Sequence, residues 1–373
     1  MKNKIILLQI SPGVPPIVGG EEKCTYTIYR YLDKNIFDVS ILTGKNNLYE
    51  NSKIPLIQCP TRGTPLNYLI TFIKFLTHIR NVNIIHFHDP NFLFPNVTYG
   101  LIFLFVNKIF KKPYVLHIHL IQKFMSKFWL KFINLYNFYY KSLLKNAALI
   151  LIPTNYSKKF LIKKYNLNPN HIQILPNGID NQFFNIKTIK NDDFVKIIFI
   201  GRYSKVKNID KLILAVINLH NNIHLHIYGS GEEELNLKKI ASGHKSIIFE
   251  GRLRQNEVYK AYKGAKLMIL PSSIEELPIS ILESLASGVP VLSTALPSVK
   301  SYFGDKIFYT DGSVEDLTKK IPFLLNQDLT TKINLGIAFA KNCTWETFIS
   351  KLEKFYLEIL KRYKNLRNIS QKI

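Results

Sequence analysis

Two acidic side chains, Glu275 and Glu283, stand in the stretch Leu270-Pro-Ser-Ser-Ile-Glu-Glu-Leu-Pro-Ile-Ser-Ile-Leu-Glu-Ser-Leu-Ala-Ser-Gly-Val-Pro-Val-Leu-Ser-Thr294 with seven residues between them. The apolar run from Lys266 to Leu270 predicts a buried parallel strand. Pro278 suits the first helical position, Gly288 a helix stop, and Val289 to Ser293 a return to the sheet. Glu275 then falls in a loop, and Glu283 about one and a half turns into a helix. Carboxylates that flank a helix N-terminus could hold a phosphorylated sugar, with N–H groups facing phosphate and carboxylates accepting from hydroxyls. A capped α/β crossover with solvated acids would use the same residues, and residue chemistry alone leaves both readings open.

Further candidate groups lie upstream. Arg202 and Lys207 follow an apolar run that ends at Ile200 and Gly201. Arginine offers a planar fork to phosphate oxygens and lysine a point charge; both would equally suit an ordinary charged surface. Gly201 falls at a strand end, where ligands bind in open α/β sheets. Gly19 and Gly20 sit in a Pro/Gly loop that would let backbone approach a ligand. Tyr228-Gly229-Ser230-Gly231 lacks the third glycine of the dinucleotide fingerprint, which argues against a dehydrogenase. His86, His88, His117 and His119 form two His-x-His pairs, each with both rings on one face of a strand. Such pairs on neighbouring strands could bind a metal. His88 and His119 lie near strand ends, however, which speaks against a metal. No Asp-x-Asp motif is present.

These groups need elements to hold them. Short apolar runs predict strands at Lys4 to Ile10, Asp38 to Thr43, Ile54 to Cys59, Asn83 to His88, Pro113 to His119, Ala148 to Pro153 and Ile172 to Leu175. Helical spacing fills Glu21 to Leu32, Tyr68 to Ile79 and Asn155 to Tyr165. Polar, irregular Asn181 to Asp193 predicts a linker. A second series follows, with strands at Ile198 to Ile200, His224 to Tyr228, Ile247 to Phe249, Leu267 to Leu270, Val289 to Ser293 and Ile307 to Tyr309. The tail from Ser313 predicts three helices ending near Tyr363. Alternation of strands and helices means βαβ units and doubly wound sheets, and 373 residues suit two domains.

The Glu-x7-Glu spacing followed by Ala286-Ser287-Gly288-Val289-Pro290-Val291 resembles the nucleotide-sugar site of retaining GT-B glycosyltransferases, in particular family GT4. Gly201-Arg202 through Lys207-Asn208 is similar to that family's phosphate segment. Tyr228-Gly229-Ser230-Gly231 resembles its G-x-G turn, Pro176-Asn177-Gly178-Ile179-Asp180 its interdomain segment, and Gly19-Gly20-Glu21 its Gly-Gly loop. Two positions depart from the pattern: Glu276 and Asn208 stand where the family usually has Gly. Asparagine tolerates left-handed backbone better than most residues.

This resemblance spans most of the chain. It implies an α/β GT-B architecture, two Rossmann-like doubly wound domains facing a central cleft. Residues 1–180 would form the acceptor-binding domain and 181–345 the nucleotide-sugar domain. Residues 346–373 would form a helix crossing back to the first domain, with Trp345 at its start. The implied catalytic set is His119, Glu275, Arg202 and Lys207. Arg202 and Lys207 would neutralise the leaving diphosphate, Glu275 would hold sugar hydroxyls near the reacting carbon, and His119 would stand near acceptor and sugar. The implied donor site comprises Gly19, Gly20, Gly201, Arg202, Lys207, Gly229, Glu275, Leu277, Pro278, Ile279 and Glu283, the last accepting from ribose hydroxyls. The donor, a UDP- or GDP-sugar, is a substrate, so neither cofactor nor metal is implied. Another GT-B activity, an epimerase or a phosphorylase, is the nearest alternative.

Composition bounds the partners. The formal net charge is +24, from 50 basic against 26 acidic residues. Such charge suits an anionic membrane surface, an anionic lipid-linked acceptor or nucleic acid. Ile121 to Lys145 interleaves Lys123, Lys127, Lys131, Lys141 and Lys145 with eight aromatic residues, a pattern that fits a helix lying on a membrane interface. Asn91 to Asn107 is apolar but contains Pro95 and is short for a span. Three scattered cysteines give no disulfide framework and suit a reducing cytosol. The N-terminus enters a strand within four residues and lacks signal-peptide features. The combined expectation is a cytoplasmic enzyme, peripheral at the inner face of the membrane, acting on a glycan or lipid-linked acceptor. Nucleic acid is not expected as a partner. A non-catalytic basic protein binding lipid or nucleic acid is the competing class, and it would leave the Glu-x7-Glu spacing unexplained.

Overall fold

The computed structural model describes residues 4–11, 19–44, 55–59, 65–88, 107–121, 133–186, 194–219 and 222–370. The chain divides into two compact units, Met1–Pro176 with Phe348–Ile373, and Asn177–Thr347.

In the first unit, β1 (Ile5–Ile10), β2 (Phe37–Gly44), β3 (Leu56–Cys59), β4 (Ile84–His88), β5 (Tyr114–His117), β6 (Leu149–Ile152) and β7 (Ile172–Ile174) form one sheet in the order β3-β2-β1-β4-β5-β6-β7. Every neighbouring pair is parallel. Strands β4, β5 and β6 are buried along their whole length, as expected where helices cover both faces of a parallel sheet. Among the described residues of this unit the α-helices are α1 (Gly20–Tyr31), α2 (Pro65–Ile79), α3 (Ile133–Lys145) and α4 (Asn155–Tyr165). Thr154 starts α4 by accepting the Ser157 N–H at 3.2 Å. The strand order reverses between β1 and β4, and the crevice beyond their carboxyl ends is the expected ligand position in such a sheet.

The second unit repeats the plan. Strands β8 (Val195–Ile200), β9 (Ile223–Tyr228), β10 (Ile247–Gly251), β11 (Leu267–Leu270), β12 (Val291–Thr294) and β13 (Phe308–Thr310) lie parallel in the order β10-β9-β8-β11-β12-β13. Here the reversal falls between β8 and β11. The helices are α5 (Ile209–Ile217), α6 (Glu234–Ile240), α7 (Ile279–Ala286), α8 (Pro297–Phe303), α9 (Val314–Leu325) and α10 (Thr330–Ala340).

The final helix, α11 (Trp345–Ser370), carries a buried stripe of Trp345, Phe348, Ile349, Leu352, Tyr356 and Ile359, the spacing of one helical face. Within the first unit, Glu353 Oε1 accepts the Asp33 N–H at 3.0 Å. Tyr356 there meets Phe37 edge-on with centroids 5.8 Å apart.

Among the element boundaries that differ from expectation are two helix ends. Pro278 is the cap of α7 rather than its first residue: its φ of −67° is helical but its ψ of 120° is extended. Its carbonyl already accepts the Ile281 N–H at 3.2 Å. Helix α11 runs to Ser370 rather than stopping near Tyr363, because no Gly or Pro interrupts the sequence after that tyrosine. Of the expected interfacial helix, residues 122–132, with Lys123, Lys127 and Lys131, lie outside the described residues, as does 91–106 of the apolar stretch. Among the described residues no helix is long and apolar enough to cross a membrane.

Candidate active site

In the second unit, the loops after the two central strands are stitched together at the switch point. Glu275, beyond β11, and Lys207, beyond β8, form an ion pair with Nζ 2.5 Å from Oε1. Backbone contacts support it: Ser273 N–H donates to Val206 O at 2.8 Å, and Asn208 Nδ2 donates to Pro271 O at 2.9 Å. Asn208 itself is left-handed, with φ 49° and ψ 39°. That conformation explains why Asn serves where the resembling family usually has Gly, since its short polar side chain tolerates this region. Glu276, the other departure, is buried at 6 % exposure and is absent from the positive-φ residues, so no glycine-specific backbone is required there. Ser298 Oγ donates to the Glu275 carbonyl at 2.7 Å, which holds the loop from behind.

Glu283 lies on α7 and is buried. The Tyr262 hydroxyl sits 3.2 Å from Glu283 Oε2 and 3.1 Å from Ser280 O, and donates into this acceptor pair. Burial and the adjacent Glu283 carboxylate push the Tyr262 phenol well up, so it stays a donor. Leu277 and Pro278 are buried and Ile279 half-buried, and Leu277 O accepts from Asn177 Nδ2 at 3.3 Å. The Pro176-Asn-Gly-Ile-Asp180 segment is thereby tied to the acidic loop. Gly178 is needed because a Cβ there would stand 2.8 Å from the Trp345 Cα.

The G-x-G turn closes the same sheet edge. Gly229 has φ +142°, and a Cβ on it would meet the Gly201 carbonyl oxygen at 1.9 Å. Gly201 N–H donates to Tyr228 O at 3.0 Å and Tyr203 N–H to Ser230 O at 2.9 Å. The ends of β8 and β9 thus meet through bare backbone, with Arg202 exposed beside them. An anion could approach this edge, with the Arg202 guanidinium and the Lys207 ammonium supplying charge.

The first-unit candidates lie elsewhere in the chain. Gly19, with extended backbone, caps α1, and Gly20 is its first residue. His119 follows β5 by two residues and is partly exposed. It belongs to a packed imidazole cluster in which His88 Nδ1 lies 3.3 Å from His119 Nε2 and His86 Nε2 lies 3.3 Å from His117 Nδ1. Burial pushes all four imidazoles down, His86 to about 3, and mutual repulsion adds to it for His86, His88 and His117. All four are therefore neutral at ordinary pH.

Two contributors escaped the sequence reading: Tyr262 reaches Glu283 from 21 residues away and Ser298 reaches the Glu275 carbonyl from 23, and only tertiary packing reveals them. Cys24 joins the imidazole cluster from α1 without any ligand spacing to announce it.

The model of the glycosyl transferases group 1 family matches residues 180–367, half of the chain. The chain belongs to the glycosyl transferases group 1 family. A second model, glycosyltransferase family 4, matches residues 18–183. Among similar proteins, the processive diacylglycerol alpha-glucosyltransferase of Acholeplasma laidlawii is 27% identical over 298 residues, covering 72% of this chain and 87% of that protein. The alpha-monoglucosyldiacylglycerol synthase of Streptococcus pneumoniae is 28% identical over 155 residues, covering 36% of this chain and 35% of that protein. Among solved structures, the sucrose-phosphate synthase of Thermosynechococcus elongatus superposes with a TM-score of 0.79 at 14% identity, over 96% of this chain and 100% of that one. That likeness shows the shared GT-B fold, two parallel-sheet Rossmann-like units of seven and six strands.

Proposed function

We propose that this glycosyltransferase moves a sugar from a UDP- or GDP-sugar to a membrane glycolipid precursor, with retention at the anomeric carbon. The observation that carries the reading is the Lys207–Glu275 pair at the switch point of the second sheet. It sets a cation for the leaving diphosphate beside a carboxylate for the sugar hydroxyls. Arg202 shares the diphosphate charge, and the backbone turn at Gly201 and Gly229 lets the phosphates approach. Glu283, steadied by Tyr262, accepts from the ribose hydroxyls. In the free protein Glu275 neutralises Lys207; incoming diphosphate competes for that ammonium and frees the carboxylate to receive the sugar. Leaving-group departure then builds charge on the phosphate oxygens, where Arg202 and Lys207 stabilise it most. Retention follows if the acceptor attacks from the leaving-group face, with the departing phosphate oxygen taking its proton. His119, a neutral imidazole, serves on the acceptor side.

The acceptor class rests on two relatives whose substrates, by name, are diacylglycerol lipids, and on the net charge of +24, which favours an anionic bilayer. No cofactor or metal is required by this chemistry, and the enzyme would work at the cytoplasmic face of the membrane. The test is transfer of radiolabelled sugar from UDP-glucose, UDP-galactose, UDP-N-acetylglucosamine and GDP-mannose to diacylglycerol in mixed vesicles, with EDTA present. Labelled glycolipid from one donor supports the reading. Donor hydrolysis or epimerisation that is equal with and without lipid would favour the epimerase-like alternative.

A further inference from the structure

His119, on the acceptor side of the proposed transfer, is the partly exposed end of a chain whose other members are buried: Gln9 and His88 are each 0% exposed. Gln9 comes from β1 and His88 from the end of β4, the two strands at the switch point of the first sheet. Gln9 pairs in register with His86. Side chains two apart in a strand share a face, so Gln9 and His88 rise on the same side of the sheet, and His119 meets them there.

A neutral imidazole carries one N–H and one lone pair, and the bond made at one ring nitrogen decides the role of the other. His88 Nε2 lies 2.7 Å from Gln9 Oε1, a carbonyl oxygen that only accepts. The His88 proton therefore sits on Nε2 and its lone pair on Nδ1. His88 Nδ1 in turn lies 3.3 Å from His119 Nε2, so His119 donates its Nε2–H there and keeps its lone pair on Nδ1. Burial holds both rings neutral at ordinary pH, so neither takes up the second proton that would erase this order. The other two histidines form a separate chain: Tyr356 donates its O–H to His86 Nδ1, and His86 Nε2–H donates to His117 Nδ1. Among the described residues no hydrogen bond joins that chain to His88 or His119.

From this geometry we infer that Gln9 and His88 are positioning residues for sugar transfer: they fix His119 as its Nε2–H tautomer, so that it offers substrate a hydrogen-bond acceptor and not a donor. An acceptor nitrogen recognises a group that carries a hydrogen, a hydroxyl rather than a phosphate, ester or carbonyl oxygen. That hydroxyl keeps its proton throughout, since the departing phosphate oxygen takes the proton of the attacking one. A ring free to exchange tautomers would turn an N–H toward the hydroxyl for part of the time, and the two buried partners prevent this. The role rests on the transfer reading proposed above; the tautomer does not.

Nitrogen-15 NMR of full-length protein labelled at histidine reads the tautomer directly, because the protonated and bare nitrogens of a neutral imidazole resonate far apart. The His119 signals are assigned by their loss in His119→Asn. The expected wild-type spectrum at pH 8 shows a protonated Nε2 and a bare Nδ1. A Gln9 amide turned to donate through its nitrogen would reverse both rings and put the His119 proton on Nδ1; that spectrum would overturn the inference without any variant at Gln9. Among the described residues the bond to His88 is the only one the Gln9 side-chain amide makes, so Gln9→Met, of similar volume, breaks that bond alone. The His119 signals should then move toward a mixture of tautomers. With the circular dichroism spectrum kept, kcat/KM for transfer of labelled sugar should fall about 3–10-fold, the scale of one neutral hydrogen bond. An unmoved tautomer in Gln9→Met, or a moved one with unchanged kcat/KM, would overturn the positioning role while glycolipid made by the wild type still supported the transfer reading. No glycolipid from the wild type with any donor would instead overturn that reading, and this role with it, and leave the tautomer standing.

Discussion

At the scale of single residues, the account turns on which side chains carry charge for the donor. Arg202→Ala should weaken nucleoside diphosphate binding by about 2 kcal/mol, the scale of a charge-assisted hydrogen bond, or about thirtyfold in Kd by titration calorimetry. Unchanged affinity would remove Arg202 from the site. Tyr262→Phe deletes the hydroxyl that reaches Glu283 Oε2 and Ser280 O and leaves a buried carboxylate short of a donor. Urea melts should register a loss of about 1–3 kcal/mol, with weakened nucleotide binding. Sequence pattern located Arg202, Lys207, Glu275 and Glu283 near strand ends and a helix start, whereas their donor-site roles came from the family resemblance alone. Tyr262 was not legible: its contact with Glu283 depends on how two segments pack, and no period records that. Asn208 lies between these cases. Its tolerance of left-handed backbone was readable from residue type, and its φ of 49° agrees.

At the scale of elements, the expected strands appear with ends that move by up to three residues, because near-continuous apolar runs mark fully buried parallel strands. Register and strand order are different: the reversals at β1/β4 and β8/β11 follow from crossover connections that the sequence does not number. Those reversals decide where the candidate residues meet. The G-x-G turn is the most exacting element. Gly229→Ala would force a Cβ against the Gly201 carbonyl at a φ of +142°, so the turn must open. Stability should fall by roughly 1–3 kcal/mol, and nucleotide binding should suffer more than in a surface Gly243→Ala control, which is also strained at φ +84° but whose Cβ would meet nothing. A Gly229→Ala protein that binds nucleotide normally would contradict the role given to this turn. The buried imidazoles of β4 and β5 set a pH response. His86 is held to about 3, against an ordinary 6.5, chiefly by burial. Below pH 6.5 the unfolded chain takes up a proton that the native chain refuses, so stability is full above that pH and declines toward pH 3. At pH 5 the His86 share of the loss is about 2 kcal/mol. Urea melts in EDTA at pH 8 and pH 5 should show this difference, and His86→Asn should reduce it; equal slopes in both proteins would contradict the assignment.

At the scale of the whole molecule, two α/β units divide the labour proposed here, with donor chemistry in Asn177–Thr347 and acceptor and membrane functions in the remainder. The excess of basic over acidic residues predicts salt-sensitive attachment to anionic vesicles. Replacing Lys123, Lys127 and Lys131 with Gln should reduce that attachment while the melting temperature holds; unchanged vesicle binding would remove the interfacial-helix idea. The central claim, that the second unit is a nucleotide-sugar site, is tested most directly by thermal shift. Purified full-length protein and its Arg202→Ala variant would be melted with UDP, GDP, ADP and CMP and their common sugars, in EDTA. Ligands that bind the native state raise its melting temperature, by an amount set by concentration over Kd. The account predicts a rise with UDP or GDP and their sugars that survives EDTA and shrinks in Arg202→Ala. No rise with any nucleotide, or an equal rise in the variant, would contradict it.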